Sequence, residues 1–123
     1  MAFDWLLIPE NRIDIVQTIT NRDGDIVESI VIGTGYGIFR GQTAIEYTAQ
    51  TSGSFNHVGI LIAYEPKQPH TFVVDGKDIV THQYPEIRDY AVWRGMRFSI
   101  TGVDPRPNVH GDLVGFTVRC SSG

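Results

Sequence analysis

Hydrophobic and polar residues alternate with a period of two along most of this chain, the pattern of β-strands that bury one face. The clearest example is the pair RIDIVQTIT and DIVESIVI, which flank the sequence TNRDGD. The Asp-Gly pair in that connection favours a tight hairpin turn, because glycine adopts a positive φ without strain. The fold is therefore predicted to begin with a hairpin that pairs residues 12–20 with residues 25–32.

The same alternation predicts the remaining strands and most of the core. A third strand is predicted at HVGILIAYE, and a second hairpin with an Asp-Gly turn at TFVVDGKDIV. A third hairpin joins YAVW to MRFSITGV through an Arg-Gly turn, and the last strand is LVGFTVRC. The first of these strands is expected to have Val58, Ile60, Ile62 and Tyr64 on one face. The hairpin with the Arg-Gly turn and the last strand are expected to bury Trp93, Met96, Phe98, Ile100, Val114, Phe116, Val118 and Cys120.

One stretch, GQTAIEYTAQ (41–50), has helical spacing, because apolar residues recur at intervals of three and four. One short α-helix beside six or seven strands predicts a small antiparallel β-barrel or sandwich, with the helix covering one end. A length of 123 residues allows one domain with a modest core. We therefore expect a single, mainly β domain over residues 1–123, with an N-terminal arm at 1–10.

Charge and cysteine content narrow the class of protein. The formal net charge is −4, whereas tight binding to nucleic-acid backbones needs clustered Lys and Arg. The single cysteine, Cys120, excludes an internal disulfide and is expected to be a buried thiol, because it lies in an alternating strand. No stretch reaches the roughly 20 apolar residues of a membrane helix, and the first residues lack the features of a signal peptide. A reducing cytoplasm is the expected place of synthesis, and no membrane partner is expected.

No motif in the sequence predicts a catalytic residue, a metal site or a cofactor. GTGYG (33–37) leads into IFRG, without the helix and lysine of a phosphate-binding loop, so it predicts a bent or bulged strand. The four histidines lack the spacing of a zinc site. Ser52 and Ser54 lack the strand-to-helix turn that exposes a nucleophile, and the paired aspartates flank turn glycines, where they favour the turn itself.

Two features are typical of surfaces that contact other macromolecules. Between Arg40 and Glu65 the only charged residue is Glu46, and this stretch contains the polar tip TSGSFN. The tip is either an ordinary solvated loop or a loop that docks on a partner or lines a passage. Eight of the ten basic residues are arginines, which are favoured at interfaces. Four of these form either an interface patch around the third hairpin or a solvated face: Arg88, Arg94, Arg97 and Arg106.

The order of these features resembles the head–tail adaptor or head-completion proteins of bacteriophages with long non-contractile tails. The resemblance covers residues 11–120 approximately. It consists, in order, of RIDIVQ, RDGD, FRGQTAIEYTAQ, VGILIAYEP, RGMRFSITGVDP and LVGFTVRC. The chain departs from the family in two places: Ala63 stands where a basic residue often precedes the tyrosine, and the segment 67–90 is longer than expected.

The resemblance implies a structural virion protein without enzymatic activity or a cofactor. Such proteins form a ring, expected here to have 12 or 6 copies, between the portal or adaptor and the tail-terminator or tail-completion protein. The ring closes the DNA-filled head and offers a docking surface to the tail. Double-stranded DNA passes through without sequence recognition, and walls that are neutral or acidic avoid binding its phosphates. The implied location is the virion neck, after synthesis in the cytoplasm of a bacterial host.

The resemblance also directs attention to particular segments and residues. The arm 2–9, the loop 42–56 and the excursion 67–90 are the expected contact elements. The candidate channel-facing or gating residues are Ser52, Ser54 and Phe55. The candidate interface residues are Phe3, Trp5 and Leu6 of the arm, together with Arg88, Arg94, Arg97 and Arg106. Two alternatives stay open: a tail-completion or tail-terminator ring, and a small β-barrel that binds a sugar or other small ligand in an apolar pocket.

Overall fold

The computed structural model describes residues 7–41, 55–107, 109–111 and 113–122. Within these ranges the chain forms strands β1 (Arg12–Thr20), β2 (Ile26–Gly41), β3 (Phe55–Pro66), β4 (Thr71–Val74), β5 (Lys77–Val80), β6 (Tyr90–Trp93), β7 (Met96–Pro107) and β8 (Leu113–Ser122). A 3-10 turn, Pro9–Asn11, precedes β1 and is the one helical segment in the described part of the chain.

Six strands form a closed antiparallel barrel in the order β1-β2-β3-β8-β7-β6, and β6 pairs back onto β1. The other two strands, β4 and β5, form a separate hairpin. The prediction of a mainly β fold built on a small antiparallel barrel is confirmed, and all three predicted hairpins are present. The predicted helix lies outside the described residues apart from Gly41, which ends β2.

The barrel interior is filled by apolar side chains from all six strands. The rings of Phe39, Trp93 and Phe98 contact one another at one end of the barrel, with centroids 5.1–6.3 Å apart. Cys120 is buried, as predicted, and burial raises the pKa of its thiol to about 12. Other predicted core residues are also confirmed as buried: Trp93, Phe98, Ile100, Phe116 and Val118. The side chain of Val114 lies outside the described part of the structure.

The apolar face that the alternation predicts for β3 is not the face that is buried. Gly59 and Leu61 point into the barrel, whereas Val58 and Ile60 are 37% and 47% exposed on the outside. Ile62 lies on the same outer side as Val58 and Ile60 by the strand alternation, and it is half-buried. Apolar residues occupy both sides of this strand, so alternation alone does not decide which side is buried.

Two further positions depart from simple alternation. Ala63, with φ 53°, belongs to a bulge in which β3 has one residue more than β2, and the bulge brings Tyr64 back against the core. Met96 was also predicted to be buried, and it is 50% exposed. Met96 pairs with Trp93 beside the hairpin turn, where the barrel wall ends.

The GTGYG sequence lies within β2, as the prediction of a bent strand requires. The β1–β2 register shifts between Ile15 and Val16, so β2 bulges just before Gly33. A Cβ atom at Gly33 would collide with the Tyr64 ring, and one at Gly37 would collide with the carbonyl oxygen of Ile60. Glycine is needed here because the neighbouring strand and its side chains come so close.

The antiparallel order gives the barrel two different ends. The proximal end has the Pro9–Asn11 turn, the Arg94-Gly95 turn, the last residue of β2 and the first residue of β3. The distal end has the turn between β1 and β2, the end of β3, the start of β6 and the segment 81–89. The two ends therefore present different connections to any neighbouring molecule.

Candidate interaction surfaces

The segment 81–89, which we call the distal cap, covers the distal end of the barrel. Its backbone pairs with β7: the Arg88 N–H donates to the Ile100 carbonyl at 3.1 Å, and the Ile100 N–H donates to the Asp89 carbonyl at 2.9 Å. The Tyr64 hydroxyl, from β3, donates to the Gln83 carbonyl at 2.6 Å. Contacts from two sides of the barrel thus position the cap.

A buried carboxylate fixes the shape of the distal cap. Asp89 is only 3% exposed, and its Oδ2 atom lies 2.6 Å from His82 Nε2 and 2.9 Å from the Glu86 N–H. Burial raises the pKa of Asp89, and the hydrogen bonds from His82 and Glu86 oppose that shift. His82 Nδ1 lies 3.3 Å from a Glu86 carboxylate oxygen. These contacts lie within the cap and stabilise its observed conformation.

An apolar groove of about 600 Å³ lies between the cap and the strands β7 and β8. Its walls include Tyr84, Ile87 and Leu113, each of which is at least half exposed. Exposed apolar side chains that cluster in this way are typical of a contact surface. The groove lies partly in the excursion 67–90, which the sequence predicts as a contact element.

The β4–β5 hairpin lies apart from the barrel sheet. Asp75 holds it to the β1–β2 turn, because its Oδ2 atom accepts a 2.8 Å hydrogen bond from the Arg22 N–H and its Oδ1 atom lies 3.8 Å from Arg22 Nε. Val73 and Val80 are 72% and 59% exposed. Each of its two strands also has an edge without a partner strand in the described part of the chain. Each barrel strand, by contrast, pairs with a neighbour on both sides over at least part of its length.

Two of the four candidate arginines lie at the proximal end, and both are held by aromatic rings. The Arg94 guanidinium lies 4.6 Å from the Trp93 ring centroid and donates to the Glu10 carbonyl and to Asn11 Oδ1. The Arg97 guanidinium lies 4.0 Å from the Tyr90 ring centroid. Both side chains are exposed yet ordered by these contacts.

The other two candidate arginines lie elsewhere. Arg88 is exposed in the distal cap with φ 82°, and Arg106 donates to Thr117 Oγ1 at 2.9 Å near the distal end of β7. Arg97 and Arg106 are nine residues apart on one strand, about 30 Å at roughly 3.3 Å per residue. The structure therefore separates Arg106 from Arg94 and Arg97, whereas Arg88 lies beside Ile100, three residues along β7 from Arg97. An interface role for each arginine stays a prediction.

Most of the candidate loop and arm residues lie outside the described part of the chain. These are Ser52 and Ser54 of the loop and Phe3, Trp5 and Leu6 of the arm. Phe55 begins β3, and its side chain is not among those described. Gly41 and Phe55, which flank the segment 42–54, both lie at the proximal end.

Three of the described histidines lie in different parts of the structure. His57 contacts the Phe98 ring in the core, His70 stacks on Phe72 beside the β4–β5 hairpin, and His82 lies in the cap. Among residues 7–41, 55–107, 109–111 and 113–122, no group of three His, Cys, Asp or Glu side chains is arranged to hold a metal ion. The same ranges include no helix of the length and apolarity needed to cross a membrane.

The fold and these surfaces define a small, closed antiparallel β-barrel protein with a capped distal end and an appended hairpin. The chain matches no protein-family model, no curated protein and no solved structure. A β-barrel of this kind serves many functions, so function has to be argued from the surfaces.

Proposed function

We propose that this protein is a structural subunit of the neck of a long-tailed bacteriophage. In this proposal copies of the chain form a ring between the portal or adaptor and the tail. The ring closes the DNA-filled head and gives the tail its docking surface. The proposal starts from the order of sequence features between residues 11 and 120, and the properties of the barrel surface support it.

The observation that carries the proposal is the contrast between a filled interior and an apolar exterior. Among the described residues, side chains from all six barrel strands pack against one another in the interior. Exposed apolar side chains instead occur on β3, on the appended hairpin and in the distal groove. This distribution favours a protein that contacts other macromolecules over a barrel that encloses a small ligand.

Charge distribution supports the part of the proposal that concerns DNA. The formal net charge is −4, with only two lysines. Several of the arginines are engaged with neighbouring groups, such as Arg94 with Trp93 and Arg119 with Asp104. A surface of this kind should bind the DNA backbone weakly, because tight binding depends on counterion release by clustered, unpaired Lys and Arg side chains. The nearly uncharged segment between β2 and β3 is the proposed channel element.

A virus that lacks this gene provides the direct test. We expect heads to fill with DNA and then to lose it, and we expect plasmid-borne protein to restore DNA retention. The measurement is the fraction of DNA-filled heads and of joined tails in electron micrographs. DNA-filled heads beside free tails of abnormal length would support the tail-terminator alternative, and normal virions without the protein would contradict any neck function.

A biochemical test uses the purified full chain. The mass of its complexes is measured by mass photometry, with and without portal or adaptor rings of the same virus. We expect a complex that contains several copies of the chain per ring. A chain that stays monomeric in both conditions would contradict the proposal.

A further inference from the structure

We infer that neighbouring copies of this chain meet through two different faces of the barrel, near its proximal end. One face is the outer stripe formed by Arg40, Val58 and Ile60. The other is a depression lined by Pro9, Glu10, Arg12, Asp14, Val92, Arg94 and Gly95. The inference rests on the proposed ring and adds to it which surfaces form the contact.

The stripe is a raised apolar surface on β2 and β3. Val58 and Ile60 are 37% and 47% exposed, and half-buried Ile38 lies directly opposite Ile60 in the β2–β3 pair. Arg40 is the cross-strand neighbour of Val58 on one side, and Arg119 is its neighbour on the other. An exposed valine between two arginines, with an exposed isoleucine two residues further along β3, makes a surface of the composition found at protein interfaces.

The depression lies on the outer side of β1 and β6, next to the Pro9–Asn11 turn. Its volume is about 730 Å³, and apolar surface comes from Pro9 and half-buried Val92. The Arg94-Gly95 turn forms one wall. An open depression of this size accepts protruding aliphatic side chains such as those of the stripe.

The barrel order places the two surfaces on different parts of the wall. The stripe lies on β2 and β3 and the depression on β1 and β6, so they meet at the β1–β2 pair in one direction and are separated by β8 and β7 in the other. Both surfaces are also close to the proximal end: Val58 is the fourth residue of β3, and Val92 lies two residues before the Arg94-Gly95 turn. A ring joins two different surfaces of each copy, and two distinct surfaces at one level of the barrel suit that arrangement.

Charge complementarity selects a second copy as the partner. On the stripe side Arg119 is paired with Asp104, which leaves Arg40 without an ionic partner among the described residues. In the depression Arg12 is paired with Asp14 at 3.1 Å, and Arg94 is held by Trp93 and the Asn11 side chain. Glu10 is then the carboxylate of the depression that lacks a partner in the described part of the chain. Opposite unpaired charges on the two faces set the register of an interface.

A charge exchange tests this pairing of faces. In the Glu10→Arg variant both faces carry an arginine, and in the Arg40→Glu variant both carry a glutamate. We expect each variant alone to need at least about tenfold more protein for ring assembly, because like charges oppose each other at every contact. A 1:1 mixture should assemble like the native chain, since each contact in an alternating ring joins arginine to glutamate. The double variant should assemble as well.

The measurement is the mass of assemblies against protein concentration, with portal rings present if the native chain requires them. Lys77→Glu, an exposed change of equal charge on β5, is the control and should assemble normally. Thermal melts confirm that each variant is folded, which we expect because both side chains are exposed. Single variants that assemble normally, or a mixture that fails to recover assembly, would overturn the pairing of these faces. In either case, a ring formed by the native chain would still support the proposed function. If the native chain forms no ring in either condition, the proposed function falls and the inference with it.

Discussion

Two hairpins of this protein have the same turn and different places in the fold. The β4–β5 hairpin turns at Asp75-Gly76, with φ 52° and 76°, and the β6–β7 hairpin turns at Arg94-Gly95, with φ 51° and 77°. Two successive positive φ values are typical of the two-residue turns that match the twist of antiparallel strands. The two turns therefore have the same backbone conformation.

The hairpins differ in what their strands bury. β6 and β7 place Trp93 and Phe98 in the core and complete the barrel. β4 and β5 leave Val73 and Val80 exposed and are held to the β1–β2 turn by Asp75. Turn chemistry thus specifies that a hairpin forms, and the volume of apolar side chains specifies whether it joins the core.

Replacement of one phenylalanine in each hairpin gives the largest contrast. Phe98→Ala should lower the free energy of unfolding by about 3–5 kcal/mol, because it leaves a cavity among aromatic rings. Phe72→Ala should lower it by about 1 kcal/mol, because this ring is half-buried and stacks on His70. Urea unfolding measures both values, and equal losses would mean that the β4–β5 hairpin belongs to the same cooperative core.

Alanine at the two turn glycines gives a smaller and better matched contrast. A Cβ atom at Gly76 or at Gly95 meets no atom within 4 Å, so each substitution adds only backbone strain, about 1–2 kcal/mol. At Gly95 the strain should lower the stability of the whole barrel. At Gly76 it should mainly speed local opening, seen as faster hydrogen exchange of the β4 and β5 amides at unchanged urea midpoint. A shift of the urea midpoint by Gly76→Ala as large as that by Gly95→Ala would contradict separate opening.

The smallest expected effect is the loss of unfolding free energy at alkaline pH that depends on the Cys120 thiol. Burial raises the pKa of Cys120 from its usual 9.0 to about 12, so this thiol contributes full stability below pH 9 and loses it as pH rises towards 12. The stability advantage of the native chain over Cys120→Ala should therefore narrow by roughly 1 kcal/mol between pH 8 and pH 10. Urea unfolding at the two pH values measures this change. Gly76→Ala should leave it unaltered, and a constant difference between native chain and Cys120→Ala would mean that the native thiol ionises normally.

The alternation of apolar residues predicted the barrel class because most strands have one clearly apolar face. β1 is an example, with Ile13, Ile15 and Ile19 buried as the pattern indicates. β3 could not be oriented in this way, because its interior side includes Gly59 and its exterior side has Val58 and Ile60. The interior glycine is required by the close approach of the β2 backbone, which only the strand pairing reveals.

The candidate surfaces were harder to predict, because they join residues that are far apart in sequence. Asp75 holds Arg22 across 53 positions, and the depression combines Glu10 with Val92. The predicted arginine cluster was based on closeness along the chain, and a long strand separates Arg97 from Arg106. A period-two pattern indicates which side of a strand a residue occupies, whereas barrel order decides which strands are neighbours.

Closure of the barrel depends on its shortest strand. β6 has four residues, and its pairing with β1 sets Ile13 opposite Trp93. Residues 13 and 93 are far apart in the sequence, so pairing β6 with β1 costs more loop-closure entropy than pairing strands that follow each other in the chain. Barrel closure is accordingly a late event in folding. While β6 of a nascent chain is still inside the ribosome, the apolar inner side of the earlier strands is accessible to chaperones.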